Sequence, residues 1–264
     1  MSLVFLKLGG SLITDKTRPY TARLEKLDDL AVQVAVALHE NADLQLVFGH
    51  GSGSFGHTAA SQFDTRRGVS GPEAWRGFAE VWYQASRLNR FVVEALRRAG
   101  LPALTFSPAA SVTAHDGKVS AWDCYPLRSA LANGLLPVIH GDVAFDRVRN
   151  GTILSTEDLF VHLAQQLRPE RILLAGQERG VWADFPARQR LLEEITPGSF
   201  AQQAPGLGGA AGTDVTGGML SKVTEMLTLV EQVPGLEVLV FSGEEPGIIQ
   251  QALRGGNPGT RLHR

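Results

Sequence analysis

The sequence predicts an α/β protein in which a largely parallel sheet carries helices on both faces. Three observations carry this. Short apolar runs alternate with longer segments of helical periodicity along most of the chain. Several of those runs end in glycines, where a strand would hand over to a helix. The chain has 264 residues, 44% of them hydrophobic, enough for one large domain or two lobes sharing a sheet.

The elements follow in order. Leu3–Leu8 is apolar and stops at Gly9-Gly10, so it reads as a strand that opens the fold. Leu24, Leu27, Leu30, Val34 and Leu38 recur at helical spacing. Leu44–Phe48 is a second short run, followed by GHGSGSFGH from Gly49 to His57. Trp75, Phe78, Trp82, Ala85, Leu88, Val92 and Ala95 mark a long helix whose apolar stripe belongs in the core or, in part, lines an apolar pocket. It stops at Arg98-Ala99-Gly100, a basic last turn and a glycine cap. Pro102–Ser107 and Leu135–His140 read as strands around a helix at Leu127–Leu131. Arg149-Asn150-Gly151, between Val143–Val148 and Thr152–Leu154, signals a hairpin. A helix over Thr156–Leu167 and a strand over Arg171–Ala175 come next. A glycine-rich segment, Pro205–Thr213, precedes a helix from Gly217 to about Val233. Leu236–Phe241 is the next strand and Ile248–Leu253 a short helix. The hairpin marks a seam between residues 1–150, an N-terminal lobe, and 151–264, a C-terminal lobe, within one continuous fold.

Composition narrows the function. A net charge of -2 gives no electrostatic footprint for nucleic acid. No run approaches the roughly 18 to 20 apolar residues of a membrane span, and the start lacks the charged head and apolar core of a signal peptide. A lone cysteine, Cys124, forms no internal disulfide and is expected to be a small buried hydrophobe. These features fit a cytoplasmic protein without nucleic-acid or membrane partners.

The loop GHGSGSFGH satisfies two motifs. Gly51, Gly53 and Gly56 spell G-x-G-x-x-G, and Gly51 to Thr58 read as a P-loop with histidine in place of lysine. A dinucleotide fold wants an acidic residue about 20 positions on, at a strand end. That distance lands near Glu73, at the start of the long helix. A P-loop wants a permanent cation, and histidine is shorter and only partly charged at neutral pH. What both motifs share is a strand end, tight glycines and free N–H groups that suit an anion; a turn with a surface histidine remains the alternative. The loop has company. Lys7-Leu8-Gly9-Gly10-Ser11 follows the first strand in the same way, with Thr14-Asp15-Lys16 just behind it. Thr213–Met219 opens a helix with Lys222 one turn in. Glycine turns, lysines and a histidine without a metal-ligand cluster point to a polyphosphate site.

The set KLGGS, TDK, GHGSGSFGH, HGD (His140–Asp142) and DVTGGMLSK (Asp214–Lys222), with the ending Gly259-Thr260-Arg261, resembles the amino acid kinase superfamily over nearly the whole chain. Within it, TDK and the GSFGH histidine resemble the isopentenyl phosphate kinase family. The resemblance implies an αβα sandwich with a mostly parallel central sheet, a homodimer, ATP with Mg²⁺, and isopentenyl phosphate as acceptor. It implies that Lys7, Gly9, Gly10 and Ser11 contact the ATP phosphates and that Lys16 stabilises the phosphoryl group in flight. Gly51, Ser52, Gly53 and Gly56 would supply the phosphate loop, Gly53 on the ATP side. His57 would hold the acceptor's phosphate. Gly218 and Lys222 would lie on the nucleotide, with Asp214 orienting a lysine. The chain departs from the family in two places. Thr156, in Ser155-Thr156-Glu157-Asp158, stands where the family tends to have glycine, and is expected to crowd or re-aim the acceptor phosphate. Ala175–Gly180 replaces an aspartate-rich turn near the nucleotide. A fosfomycin-type kinase and a nucleotide sensor without turnover are the competing readings; retention of Lys7, Lys16, His57 and Lys222 argues against the sensor.

Overall fold

The computed structural model describes residues 2–203 and 218–264, apart from the side chains of His57 and Gln203. The first half runs β1 (Ser2–Leu8), α1 (Gly10–Ile13), α2 (Leu24–Glu40), β2 (Leu44–His50), α3 (Gly53–Phe63), α4 (Gly71–Arg98), β3 (Ala103–Thr105), α5 (Pro108–Ser111), β4 (Val112–His115), β5 (Lys118–Trp122), α6 (Tyr125–Ala132), β6 (Leu136–His140) and β7 (Asp142–Asp146). The second runs β8 (Asn150–Leu154), α7 (Thr156–Leu167), β9 (Arg171–Gly176), β10 (Glu194–Ile195), α8 (Pro197–Gln203), α9 (Gly218–Gln232), β11 (Glu237–Ser242), α10 (Ile248–Leu253) and β12 (Thr260–Leu262).

The main sheet has the order β10-β12-β11-β9-β1-β2-β6-β3. Every pairing is parallel except β11 with β12. A parallel sheet is covered on both faces, so its strands read as almost unbroken apolar runs. Alternate residues then feed two cores. Val4, Leu6 and Leu8 of β1 join α2, α4 and α10 on one face. Phe5 joins α6, α7 and α9 on the other. β1 is the centre of the sheet and the joint between the two halves of the chain, paired with β2 on one side and β9 on the other.

Parallel strands all finish at one edge. Leu8 is opposite His50 and Ala175, His50 is opposite His140, and Ala175 is opposite Phe241. The loops after β1, β2, β6 and β9 therefore meet, which is where open α/β sheets bind ligands.

A second sheet, β5-β4-β7-β8, stands beside the first. Its β7–β8 hairpin is the expected one, with Asn150 at φ 62°. Its β4–β5 hairpin is not among the expected elements, although Asp116-Gly117 is a two-residue hairpin turn with both residues at positive φ. One carboxylate, Asp146, accepts the N–H groups of Asp116, Gly117, Val148 and Arg149 and so fixes both turns. Burial opposes its charge, but these donors hold its pKa below the ordinary carboxylate range.

Two expectations need correction. The buried face of α4 carries Phe78, Val81, Ala85, Leu88, Val92 and Ala95, but Trp75 is 37% and Trp82 44% exposed. Trp75 packs sideways on Phe78 and Phe145 at the edge of a small third core. Cys124 is only partly buried, against the cluster below α6. No described helix is long and apolar enough to cross a membrane.

Candidate active site

A cavity of about 710 Å³ occupies the strand-end edge. It brings together every predicted site residue that is described in full: Lys7, Gly9, Gly10, Ser11, Lys16, Gly51, Ser52, Gly53, Gly56, Thr156, Gly218 and Lys222 all line it. His57 lies on α3, one turn in from Gly53, with its side chain outside the described part. Asp214 falls outside the described residues, as does the glycine-rich run before α9.

The loops after β1 and β2 touch backbone to backbone. A Cβ on Gly10 would stand 2.3 Å from the nitrogen of Gly53. Gly53 has φ 48°, and a Cβ there would stand 2.2 Å from Thr14 Oγ1. That hydroxyl donates to the Gly10 carbonyl at 2.7 Å and accepts from Ser54 N–H at 3.0 Å. These glycines are thus required by the contact between two loops, a reason separate from close approach to a ligand.

Lys7 comes from the end of β1 and Lys222 from the first turns of α9. Both reach Glu157, near the N-terminus of α7: Lys7 Nζ is ion-paired to its Oε1, and Lys222 Nζ is 3.5 Å away. Burial pushes the Glu157 carboxyl up, but Lys7, then Lys222, outweigh it and bring its pKa down to about 2. The α7 start adds to this, because a helix N-terminus favours negative charge. The local sequence builds that start well, since Ser155 and Asp158 form a reciprocal capping box. Glu157 stands in the Ser155–Asp158 stretch but is not among the site residues assigned from the sequence. The signal available was an acid in the first turn of a helix that opens at a strand edge.

Lys16 is exposed and overhangs the cavity. The preceding Asp15 turns the chain by accepting Thr17 N–H, Thr17 Oγ1–H and Arg18 Nε–H. These bonds bring its pKa down to about 2, so it serves the turn.

Thr156 is buried, and its hydroxyl donates to the His50 carbonyl at 2.6 Å. Its side chain is thereby committed to joining α7 to the end of β2. Towards α4 and β8 the cavity has an apolar patch of Ala60, Val81, Ala85, Ile153 and Leu154, with Arg66, Arg67 and Arg149 also in the lining. Past β9 it is walled by Gly176, Gln177, Trp182 and Phe185. There Glu178 accepts Trp182 Nε1–H at 2.9 Å and pairs with Arg188 at 2.8 Å, which steadies the indole. This wall stands where the sequence showed only a departure from an aspartate-rich turn.

Lysines gathered on a buried carboxylate, glycine loops back to back, and a lining with an apolar patch and an aromatic wall define a small-molecule kinase site. The sequence matches the family model "Amino acid kinase family" over residues 2–242. The isopentenyl phosphate kinase of Methanothermobacter thermautotrophicus is 35% identical, with 98% of each chain covered. That of Haloferax volcanii is 38% identical, covering 94% of this chain and 98% of the relative. A crystal structure of isopentenyl phosphate kinase superposes with a TM-score of 0.83 at 32% identity, covering 98% of this chain and 99% of that one. The chain belongs to the amino acid kinase family, on its isopentenyl phosphate kinase branch.

Proposed function

We propose that this protein transfers the γ-phosphoryl group of ATP to the phosphate of isopentenyl phosphate, giving ADP and isopentenyl diphosphate. The observation that carries the reading is one cavity whose lining combines apolar side chains of α3, α4 and β8, the lysines Lys7, Lys16 and Lys222, and the aromatic Trp182 and Phe185. A branched hydrocarbon tail has no polar handle, so apolar walls must supply its affinity. The relatives favour this acceptor over a phosphonate of the fosfomycin type and over a sensor without turnover.

In the reaction an oxygen of the acceptor phosphate bonds to the γ-phosphorus while the bridging bond to the β-phosphate breaks. The acceptor is already an anion, so no strong general base is required. Alignment and neutralisation of charge supply the catalysis. Lys7, Gly9, Gly10, Ser11, Gly53, Gly218 and Lys222 face the ATP phosphates in this reading, and Asp214 is assigned the orienting of a lysine. Gly51, Ser52, Gly56 and His57 take the acceptor phosphate. Thr156, its hydroxyl occupied, offers a helix-start N–H. Residues 1–150 then hold the acceptor and, through Lys7, Gly9, Gly10, Ser11 and Gly53, share the ATP phosphates with residues 151–264, which carry the rest of the nucleotide. Mg²⁺ fits as an ion carried on the nucleotide's phosphates, since such sites use one or two carboxylates with phosphate and water oxygens. No group of three or more His, Cys, Asp or Glu side chains forms a metal cage among the described residues. The ion would add neutralisation of phosphate charge. A cytoplasmic homodimer completes the proposal.

Coupled ADP release with isopentenyl phosphate, dimethylallyl phosphate and fosfomycin tests it. The expected order places isopentenyl phosphate first in kcat/KM; turnover of fosfomycin alone would overturn the assignment. His57→Ala should lower kcat/KM for isopentenyl phosphate far more than it weakens ATP binding, and His57→Gln, which keeps a donor, should retain more activity. A loss confined to the ATP KM contradicts the assignment of His57 to the acceptor.

The apolar patch yields a second expectation. Val81 of α4 belongs to it, with Ala85 and Ile153. Val81→Ala should raise kcat/KM for a longer acceptor such as geranyl phosphate relative to the parent protein. If neither this change nor Ile153→Ala helps the longer tail, the tail lies elsewhere.

A further inference from the structure

The strand ends hold a buried imidazole that the reaction as described does not use. His50 closes β2 opposite His140 of β6, and their rings stack at 5.3 Å, 6° from parallel. His50 is fully buried. Its Nδ1 is 3.1 Å from the Gly51 carbonyl oxygen, and its Nε2 is 3.1 Å from Asn89 Oδ1. With the Asn89 amide in this orientation both contacts are to acceptors, so satisfying them would take a proton on each nitrogen.

A neutral ring meets this environment better. Burial first, then His140, lowers the His50 pKa to about 3, with Lys7 adding to the effect. Asn89 supplies the adjustment. Its other amide atom, Nδ2, is 2.9 Å from Thr105 Oγ1, and a hydroxyl both donates and accepts. Turning the amide over makes Nδ2–H a donor to His50 Nε2 and Oδ1 an acceptor from Thr105, with no bond lost. The single ring proton then sits on Nδ1 and is donated to Gly51. The opposite tautomer would face the Nδ1 lone pair against that carbonyl.

The carbonyl belongs to the peptide unit joining Gly51 to Ser52. This unit is trans, and the cis bond among the described residues is Phe185-Pro186. In a planar trans unit the C=O and N–H point in opposite directions. The Ser52 N–H therefore leaves on the side away from His50. Ser52 lines the cavity, and its N–H has no hydrogen-bond partner among the described residues. A reversed peptide would put a carbonyl oxygen there instead, where it would repel an anion.

We infer that His50 is a positioning residue: by donating Nδ1–H to Gly51 it sets the direction of the Gly51–Ser52 peptide and leaves the Ser52 N–H for the acceptor's phosphate. The second half rests on the function proposed above.

Two substitutions separate this from a merely structural role. Asparagine places an amide nitrogen near the Nδ1 position, and glutamine places one near Nε2. His50→Asn should keep the acceptor KM within about twofold of the parent, and His50→Gln should raise it about tenfold, the worth of one buried hydrogen bond. The ATP KM should change little in either. Equal acceptor KM values, or the better value in His50→Gln, would overturn the proposal. A ¹⁵N spectrum of the imidazoles in the unsubstituted protein gives a test independent of whether the variants fold. It should show His50 protonated at Nδ1 alone; a proton on Nε2, or on both nitrogens, sinks the idea. Absence of isopentenyl phosphate turnover in the parent protein would remove the acceptor from the argument, while the spectrum would still decide the His50–Gly51 bond.

Discussion

Lys16→Ala should lower kcat by on the order of 10²–10³, the usual effect of removing one electrostatic contact to a developing charge, and should leave ATP binding nearly unchanged. Lys16 is exposed at the lip of the cavity, behind a turn that Asp15 fixes through Thr17 and Arg18. Its backbone is held while its long side chain stays exposed. A cation so placed gains most when the phosphoryl group is between donor and acceptor oxygens, so its loss appears in kcat more than in KM. Steady-state kinetics with both substrates varied checks this. Near-parental turnover in Lys16→Ala would remove the residue from the mechanism.

Glu157→Gln should be the most destabilising single change at the site. It keeps the shape and removes the charge on which Lys7 and Lys222 converge. Breaking a buried ion pair from one side typically costs about 3–5 kcal/mol. The sign of the pH dependence follows from the carboxyl itself. Its pKa of about 2 in the folded protein lies below the ordinary value of 4.5. The folded state thus favours the charged form. The stabilisation is fully present above the unfolded value and fades as pH falls from about 5 towards 2; a depression of this size is worth roughly 3 kcal/mol. Urea denaturation of both proteins from pH 7 down to about 3.5 should show the gap between them narrowing with acid. A gap that stays constant would mean that the lysine–carboxylate contacts are not its source. The same variant should bind ATP less tightly, because the two lysines lose the partner that aims them.

How much of this was legible in the chain depends on whether the deciding interaction is local. The boundaries of α7, Thr156–Leu167, follow from a capping box and a run of helical spacing, both contained in a dozen residues. β1, β2, β6 and β9 announce themselves because strands buried on both faces are nearly all apolar. The glycine turns that follow β1 and β2 are equally local. Once the strands are parallel, geometry alone delivers those turns to one edge, so the place of the site was determined by sequence.

Other features depended on distant contacts. The β4–β5 hairpin has its Asp116-Gly117 signal, but KVSAW is mostly exposed and alternates too weakly to mark a strand. The helix with Trp75 and Trp82 follows from spacing, yet spacing does not choose which edge of a wide apolar stripe meets the core. The contact with α3 and β7 chose Phe78 and Val81 and left the two indoles at the rim. Glu157 is the clearest case. No local pattern joins it to Lys7 and Lys222, which lie far from it in both chain directions. A parallel sheet set Lys7 at the end of β1, β8 delivered α7 beside it, and α9 brought Lys222 across. The sequence by itself determined which backbone turns could face an anion, because that is chemistry between neighbours along the chain. The tertiary structure decided which charges face one another within that edge, because only packing brings the ends of β1, α7 and α9 within reach of a single carboxylate.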